Sequence, residues 1–194
     1  MPRPLIPDRR DRILDAAETF ILERGFDAVS VQAVADHVGI AKGAIYREFS
    51  GKNEILDVLL RRAMDRMTQR SKELLGDRTR PRLSRSYRVG LQVLLDEPLM
   101  VAAFLDDTGI LGSYVDSVDD GRYRKRHIAV IEWITQLQQS NELADDIDAE
   151  ALALALSSTT LGLLTAAKHL GPISREQLEA AVAAIETMVT GLEP

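Results

Sequence analysis

Residues 30–49 read SVQAVADHVGIAKGAIYREF. The placing of small, apolar and cationic residues in this stretch decides the fold. Ser30 stands directly before VQAVADHV, whose Val34, Ala35 and Val38 recur at helical spacing, so Ser30 is expected to cap a short helix. Gly39 ends that helix, because glycine takes a positive φ at no steric cost. Ala35 is small enough for a second helix to cross closely. Ile40 then plugs the corner, and Ile45 and Phe49 share the inner face of a second short helix expected over 42–49. Two helices joined by so tight a turn form a helix-turn-helix. Ala41, Lys42, Gly43, Ala44, Tyr46 and Arg47 are left facing out. They bury almost nothing. Small side chains with two cations and a phenol suit a helix start that approaches a large, flat, anionic partner. In a DNA major groove the leading residues of such a helix meet base edges.

Outward from this stretch, nearly everything reads as helix. A helix is expected over 8–24, with Asp8 as N-cap and Ile13, Ala16, Ala17, Phe20 and Ile21 on its inner face, ended by Gly25. Phe20, Phe26 and Val29 are placed to support the helix-turn-helix from below. SGK at 50–52 is a break. A long helix follows from 52 or 53 to about 75, with Ile55, Leu56, Leu59, Leu60, Met64 and Met67 on its apolar side. GDRTRPRLSR at 76–85 is an Arg-rich linker broken by Gly76 and Pro81. Its arginines are expected to be solvated or to pair with acidic residues of the body. Further helices are expected at about 84–96, 99–107, 115–140, 148–170 and 174–192, punctuated by Pro98, Gly109, Gly112, Asn141 and Gly171-Pro172. No segment sustains a two-residue alternation. The fold class is therefore all-α, about nine helices, with an N-terminal three-helix head and a C-terminal helical bundle body.

The 194-residue chain has 45% hydrophobic and 28% charged residues, ordinary for a globular protein able to bury a core. It has no cysteine, which excludes a disulfide framework and thiolate metal sites. The opening MPRPLIPDRRDR lacks an apolar h-region, so a cytoplasmic protein is expected. Residues 151–167, ALALALSSTTLGLLTAA, are uncharged and at the short limit for a membrane span. Their Ser157-Ser158-Thr159-Thr160 centre suits lipid poorly, and a helix buried on more than one side is the expectation. Net charge is −6 but uneven. Residues 1–90 carry 18 Lys and Arg against 13 Asp and Glu, and residues 91–194 carry 6 against 17. That contrast fits a neutral-to-basic contact module on an acidic body.

From Asp8 to about Met67, roughly 60 residues, the chain resembles the TetR family of bacterial transcriptional regulators. The resemblance lies in ILDAAETFILERGFDAVSVQAVADHVGIAKGAIYREFSGKNEIL. Gly25-Phe26, Val34-Ala35, Val38-Gly39, Lys42-Gly43, Ile45-Tyr46, Phe49 and Lys52 are all in register. It implies a symmetric homodimer on a palindromic DNA operator, with repression as the commoner mode, and a variable all-α body that binds a small-molecule effector. The domains it implies are a DNA-binding head at 8–52, a linking helix at 53–75, and an effector-binding and dimerisation domain at 76–194. DNA contacts carry over to Ser30, Val31, Gln32, Ala41, Lys42, Gly43, Ala44, Tyr46 and Arg47, with Lys52 on the backbone. Ala44 replaces a common Thr and Glu48 a common His, so Glu48 either points away or tunes base preference. Arg9, Arg10 and Arg12 either reach phosphates or form a solvated first turn.

In the last helix Leu178, Val182, Ile185, Val189 and Leu192 recur at steps of four and three. The resemblance makes the last two helices a four-helix dimer interface, with Leu152, Leu156, Leu163, Leu178, Val182, Ile185 and Val189 as its residues; a single intrachain core is the other reading. Effector-pocket candidates are Met67, Tyr87, Leu91, Phe104, Tyr123, His127, Val130, Trp133, Thr159, Thr160 and Leu163, a mostly apolar set with a few polar fixtures. A ligand that tilts helix 53–75 would change the spacing of the heads.

The chain has no G-x-S-x-G, P-loop, H-E-x-x-H or G-x-G-x-x-G signature, and no enzyme is expected. No cofactor or metal is expected either. DSVDDG at 116–121 has Val118 where a calcium loop needs oxygen, and DDIDAE at 145–150 lacks its glycine. Both read as helix caps and loops. A second class stays in play: an all-α ligand-binding or adaptor protein whose helix-turn-helix has no DNA function.

Overall fold

The computed structural model describes residues 8–76, 82–105, 107–117 and 122–193. Among them are ten α-helices and one 3₁₀ segment, with no strand. In chain order the helices are α1 (Arg9–Arg24), α2 (Val31–Val38), α3 (Lys42–Ile45), α4 (Lys52–Leu75), α5 (Leu83–Leu95), α6 (Pro98–Leu105) and α7 (Thr108–Leu111). The 3₁₀ segment Gly112–Ser117 follows, then α8 (Arg122–Gln139), α9 (Ala149–Leu170) and α10 (Arg175–Thr190).

Several local expectations hold. Gly25 has φ 78° and its N–H bonds to the Ile21 carbonyl, closing α1. Ser30 caps α2, and Asp148 caps α9 by accepting from Glu150 and Ala151 amides at 2.9 and 3.0 Å. Others do not. Asp8 sits in the left-handed region at φ 54° and its side chain makes no capping bond. The helix expected at 42–49 is a single turn, continued by separate turn bonds from the Glu48 and Phe49 amides to the Ile45 carbonyl at 2.9 Å. The helix expected from 115 begins at Arg122, because Gly112 at φ 52° and the 3₁₀ segment redirect the chain first.

The chain packs as two units. Residues up to Arg66 join Pro98–Val118, and Met67–Glu97 join the C-terminal residues. The boundary expected at residue 76 differs from this division. Leu99, Ala102, Ala103, Leu111 and Tyr114 belong to the same core as Ile13, Phe20, Phe26, Val34, Ile45 and Leu56. Helix α6, PLMVAAFL, is apolar on every side, so its pattern carries no direction of packing.

The second unit has its own core of Leu83, Ile134, Leu137, Leu143, Leu152, Ala153, Leu156 and Val189, with Tyr87, Val130 and Trp133 packed on it. In this unit α10 lies against α5 and α9 against α8. That pairing takes up four of the expected dimer residues. Leu152, Leu156 and Val189 are buried in the protomer's own core and Val182 is 1% exposed, while Leu163, Leu178 and Ile185 are half-buried. Large apolar side chains left outward include Leu154, Leu161 and Leu170 on α9 and Met188 on α10, at 60%, 42%, 81% and 73% exposure. Helix α9 is also long and apolar enough to cross a membrane, but within the protomer it buries one side, not several. The Arg-rich segment partly lies outside the described residues (77–81); of the rest, Arg82 lies 3.7 Å from Glu193 and Arg85 donates to the Leu74 carbonyl at 3.0 Å, and Arg88 just beyond it pairs with Glu186.

Candidate nucleic-acid interface

The interface is built on the short α2–turn–α3 segment. The Ser30 hydroxyl accepts from the Ala33 amide at 3.0 Å, satisfying one of the free N–H groups at the helix start. Gly39 adopts φ 76°, and the Ile40 amide reaches back to the Ala35 carbonyl at 2.9 Å, which turns the chain within two residues. A Cβ at Gly39 would meet nothing within 4 Å, so backbone conformation alone calls for glycine there. Ile45 is 0% and Phe49 2% exposed. These two side chains pin a helix too short to be stable by its own hydrogen bonds.

With Ile45 and Phe49 anchored, the opposite face stands clear. Ser30, Gln32, Ala41, Lys42, Gly43, Tyr46 and Arg47 are exposed, and Ala44 is half-buried. Tyr46 is 50% exposed, high for an aromatic ring. Gly43 leaves open space where a Cβ would stand. Among the described residues neither Lys42 nor Arg47 has an ion-pair partner, so both guanidinium and ammonium face water. Gln32 donates to Asp36 at 2.7 Å. Val31 is half-buried and packs on the head core, so its side chain has a packing task.

Lys52 departs from the simplest expectation. Its Nζ donates to the Phe26 carbonyl at 2.8 Å and lies 4.1 Å from the Phe26 ring centroid. The ammonium ties the start of α4 to the loop before α2, a contact that residue spacing does not announce. The three arginines at the start of α1 are also engaged. Arg9 pairs with Glu48, Arg10 donates to the Glu48 carbonyl at 2.8 Å, and Arg12 donates to the Val38 carbonyl at 3.4 Å. Glu48 thus turns toward α1.

The loop between α1 and α2 is held by the segment after α6. The Phe26 amide bonds to the Ile110 carbonyl at 2.7 Å, and a Cβ on Gly25 would collide with the Gly109 carbonyl oxygen. Asp27 accepts from the Ser113 amide at 2.9 Å and from its hydroxyl at 2.5 Å, and these bonds hold the Asp27 carboxyl below its usual range. Tyr114 donates to Asp57 at 2.5 Å. Sequence reasoning missed this bracing entirely, because Asp27 and Ser113 lie 86 positions apart.

The effector candidates divide between the two units. Leu91 is buried, and Tyr87, Val130 and Trp133 pack on the second core. The Tyr87 hydroxyl bonds to the Leu156 carbonyl at 2.7 Å and to Thr160 at 2.8 Å, and burial raises its pKa. Met67, His127 and Leu163 are half-buried, Thr159 is exposed, Phe104 belongs to the first unit, and the Tyr123 side chain lies outside the described residues. A groove of about 380 Å³ in the second unit is lined by Arg70, Leu74, Gln92, Leu95, Asp96, Arg175, Leu178, Glu179 and Val182, and by none of those candidates.

An inwardly pinned short helix with a bare cationic outer face defines a helix-turn-helix protein of the DNA-binding type. Residues 13–59 match the family model described as bacterial regulatory proteins, tetR family. The HTH-type transcriptional repressor KstR2 of Mycolicibacterium smegmatis (strain ATCC 700084 / mc(2)155) is 26% identical over 177 residues, covering 88% of this chain and 84% of the relative. The structure of the ketosteroid transcriptional regulator KstR2 of Mycobacterium tuberculosis superposes with a TM-score of 0.61 at 21% identity, over 98% of this chain and 97% of that one. The SmeT–triclosan complex gives 0.71 at 19% identity, over 94% and 90%. Residues 13–59 thus carry the tetR-family pattern of bacterial regulatory proteins, and the whole chain shares the fold of these solved structures.

Proposed function

We propose that the protein is a cytoplasmic transcriptional repressor that binds a palindromic operator as a homodimer and is modulated by a small-molecule effector held in its second unit. One observation carries the DNA reading: Lys42, Gly43, Tyr46 and Arg47 are exposed on a segment whose Ile45 and Phe49 are buried. Several relatives bear the name of repressor, and SmeT was solved with a small molecule, which supports the rest of the reading.

In this reading Arg47, Tyr46 and Gln32 contact base edges, and small Ala41, Gly43 and Ala44 allow the backbone close. Lys42 and Ser30 meet phosphates, which set register but carry no sequence information. Lys52 keeps two of its three N–H donors for a phosphate while the third holds Phe26. Replacing Arg47 with Ala is expected to cost about 1–3 kcal/mol of operator binding and to relax the preference at one base pair, if Arg47 spans a guanine.

A palindrome requires two heads about 34–36 Å apart, or a multiple of that. The outward Leu154, Leu161 and Met188 are the side chains offered for the dimer contact. An effector coupling of about 1–3 kcal/mol would change operator affinity some 5–150-fold. The test is selection of bound fragments from random duplex DNA with the purified protein. A palindrome is expected to emerge. No enrichment, together with no salt-dependent binding to duplex DNA, would leave the ligand-binding or adaptor reading in its place.

A further inference from the structure

The first turn of α1 converges on one residue of the DNA-facing segment. Arg9 donates from Nε to Glu48 Oε1 at 3.0 Å, and a terminal guanidinium nitrogen takes the same oxygen. Arg10 donates to the Glu48 carbonyl at 2.8 Å and lies 4.3 Å from the Phe49 ring centroid. The Arg9 and Glu48 side chains are 23% and 22% exposed, so the pair is partly withdrawn from water and less screened than a surface pair. Glu48 directly follows Arg47, at the exit of the exposed strip.

We propose that Glu48 is a positioning residue that holds the Arg9 guanidinium off the phosphate backbone of bound DNA and so limits affinity for every duplex; this rests on the DNA-binding reading above. A guanidinium at the edge of a DNA face is drawn to phosphate, and a carboxylate there is repelled. Joined to each other, the two charges cancel at short range and leave the exposed cations Lys42 and Arg47 to meet the nucleic acid. Each phosphate contact strengthens binding to every sequence alike, through counterion release. Withholding one such contact lowers affinity for operator and random DNA by the same factor while leaving the base contacts intact. The protein then releases all duplex DNA at lower salt. Arg10 stays outside this exchange, because it bonds to the Glu48 main chain and braces the exit of the segment whatever the side chain.

The experiment compares Glu48→Ala, Arg9→Ala and the double variant with the parent protein. Binding to the selected operator and to random duplex is measured across a salt series, and elution salt from immobilised heparin is recorded in parallel. Glu48→Ala is expected to tighten binding to operator and random duplex by the same few-fold factor near physiological salt, to steepen the log–log salt slope by about 0.9 for each head bound, and to elute later from heparin. The operator-to-random ratio should stay at the parental value. Adding Arg9→Ala should reverse all three changes. A Glu48→Ala protein with parental slope and elution overturns the proposal, as do shifts that persist without Arg9. Should Glu48→Ala fold poorly by circular dichroism, Glu48→Gln removes the same charge with little change of shape and is read the same way. A parent with no salt-dependent duplex binding sinks the DNA reading itself, and the heparin arm still decides whether Glu48 masks Arg9.

Discussion

Gly43 separates folding from function within one residue. Its φ is ordinary and a Cβ would meet nothing within 4 Å, so the fold has no objection to alanine. In a helix, alanine is favoured over glycine by about 0.5–1 kcal/mol. Gly43→Ala is therefore expected to leave thermal stability equal or higher while weakening operator binding, because the added methyl group stands where the backbone approaches DNA. Calorimetry and a gel-shift titration read the two effects separately. Asp27 shows the opposite dependence, on structure alone. The Ser113 hydroxyl and amide lower its pKa, with Lys52 adding a smaller attraction. A carboxyl depressed in the folded state contributes stability that is present above its unfolded pKa and is lost as pH falls through the folded one. Ser113→Ala should therefore unfold at lower temperature than the parent at pH 7, with the gap closing as pH falls below the carboxylate range. A gap that stays constant with pH would place the effect elsewhere. Gly39, Ser30 and Gly25 were all legible as punctuation, since each acts on its own neighbours. Asp27, Lys52 and Glu48 were not, because each finds its partner far along the chain.

Among the elements, α3 depends most on what lies behind it. One helical turn has no stability of its own, and Ile45 and Phe49 supply the anchorage. Ile45→Ala should cost about 2–5 kcal/mol through the cavity it leaves in a site buried on all sides. Denaturant unfolding measures that cost, and operator binding should fall with it even at temperatures where the protein stays folded. The buried face of α2 and α3 could be read from spacing, so this element pair was visible in the sequence. Helix α6 was not. Its residues are apolar all round, and only the placement of Leu99, Ala102 and Ala103 in the first core shows which helices it serves. The segment at 107–117 has the same character: short, rich in glycine, and committed to the head by the Phe26–Ile110 and Asp27–Ser113 bonds.

For the whole molecule, the asymmetry of charge and the unspent apolar face of α9 and α10 carry the consequences. The outward Leu154, Leu161 and Met188 are large apolar groups of a kind that marks a contact surface when they cluster. Leu161→Asp is expected to convert a dimer to a folded monomer in sedimentation and to abolish palindrome binding. Leu156→Asp is expected to unfold the second unit instead, because Leu156 is 5% exposed within one chain. If both variants stay dimeric, the contact lies on another surface. The family resemblance implies an interface of Leu152, Leu156, Leu163, Leu178, Val182, Ile185 and Val189, of which Leu152, Leu156, Val182 and Val189 are buried within one chain. Periodicity identifies an apolar face but cannot say whether a neighbour in the same chain has already covered it.

From sequence alone came the all-α class, the helix-turn-helix between Ser30 and Phe49, its buried and exposed faces, and the family resemblance. All of these depend on residues within a few turns of one another, where helical geometry converts spacing directly into faces. Tertiary structure alone decided that the described residues of 98–117 belong with the head, that Lys52 and the arginines at the start of α1 are engaged by the protein itself, and that Leu152, Leu156, Val182 and Val189 are buried within one chain. Those outcomes depend on which distant surfaces meet. An ammonium or a leucine has the same local pattern whether its partner is DNA, a second subunit or the next helix of its own chain.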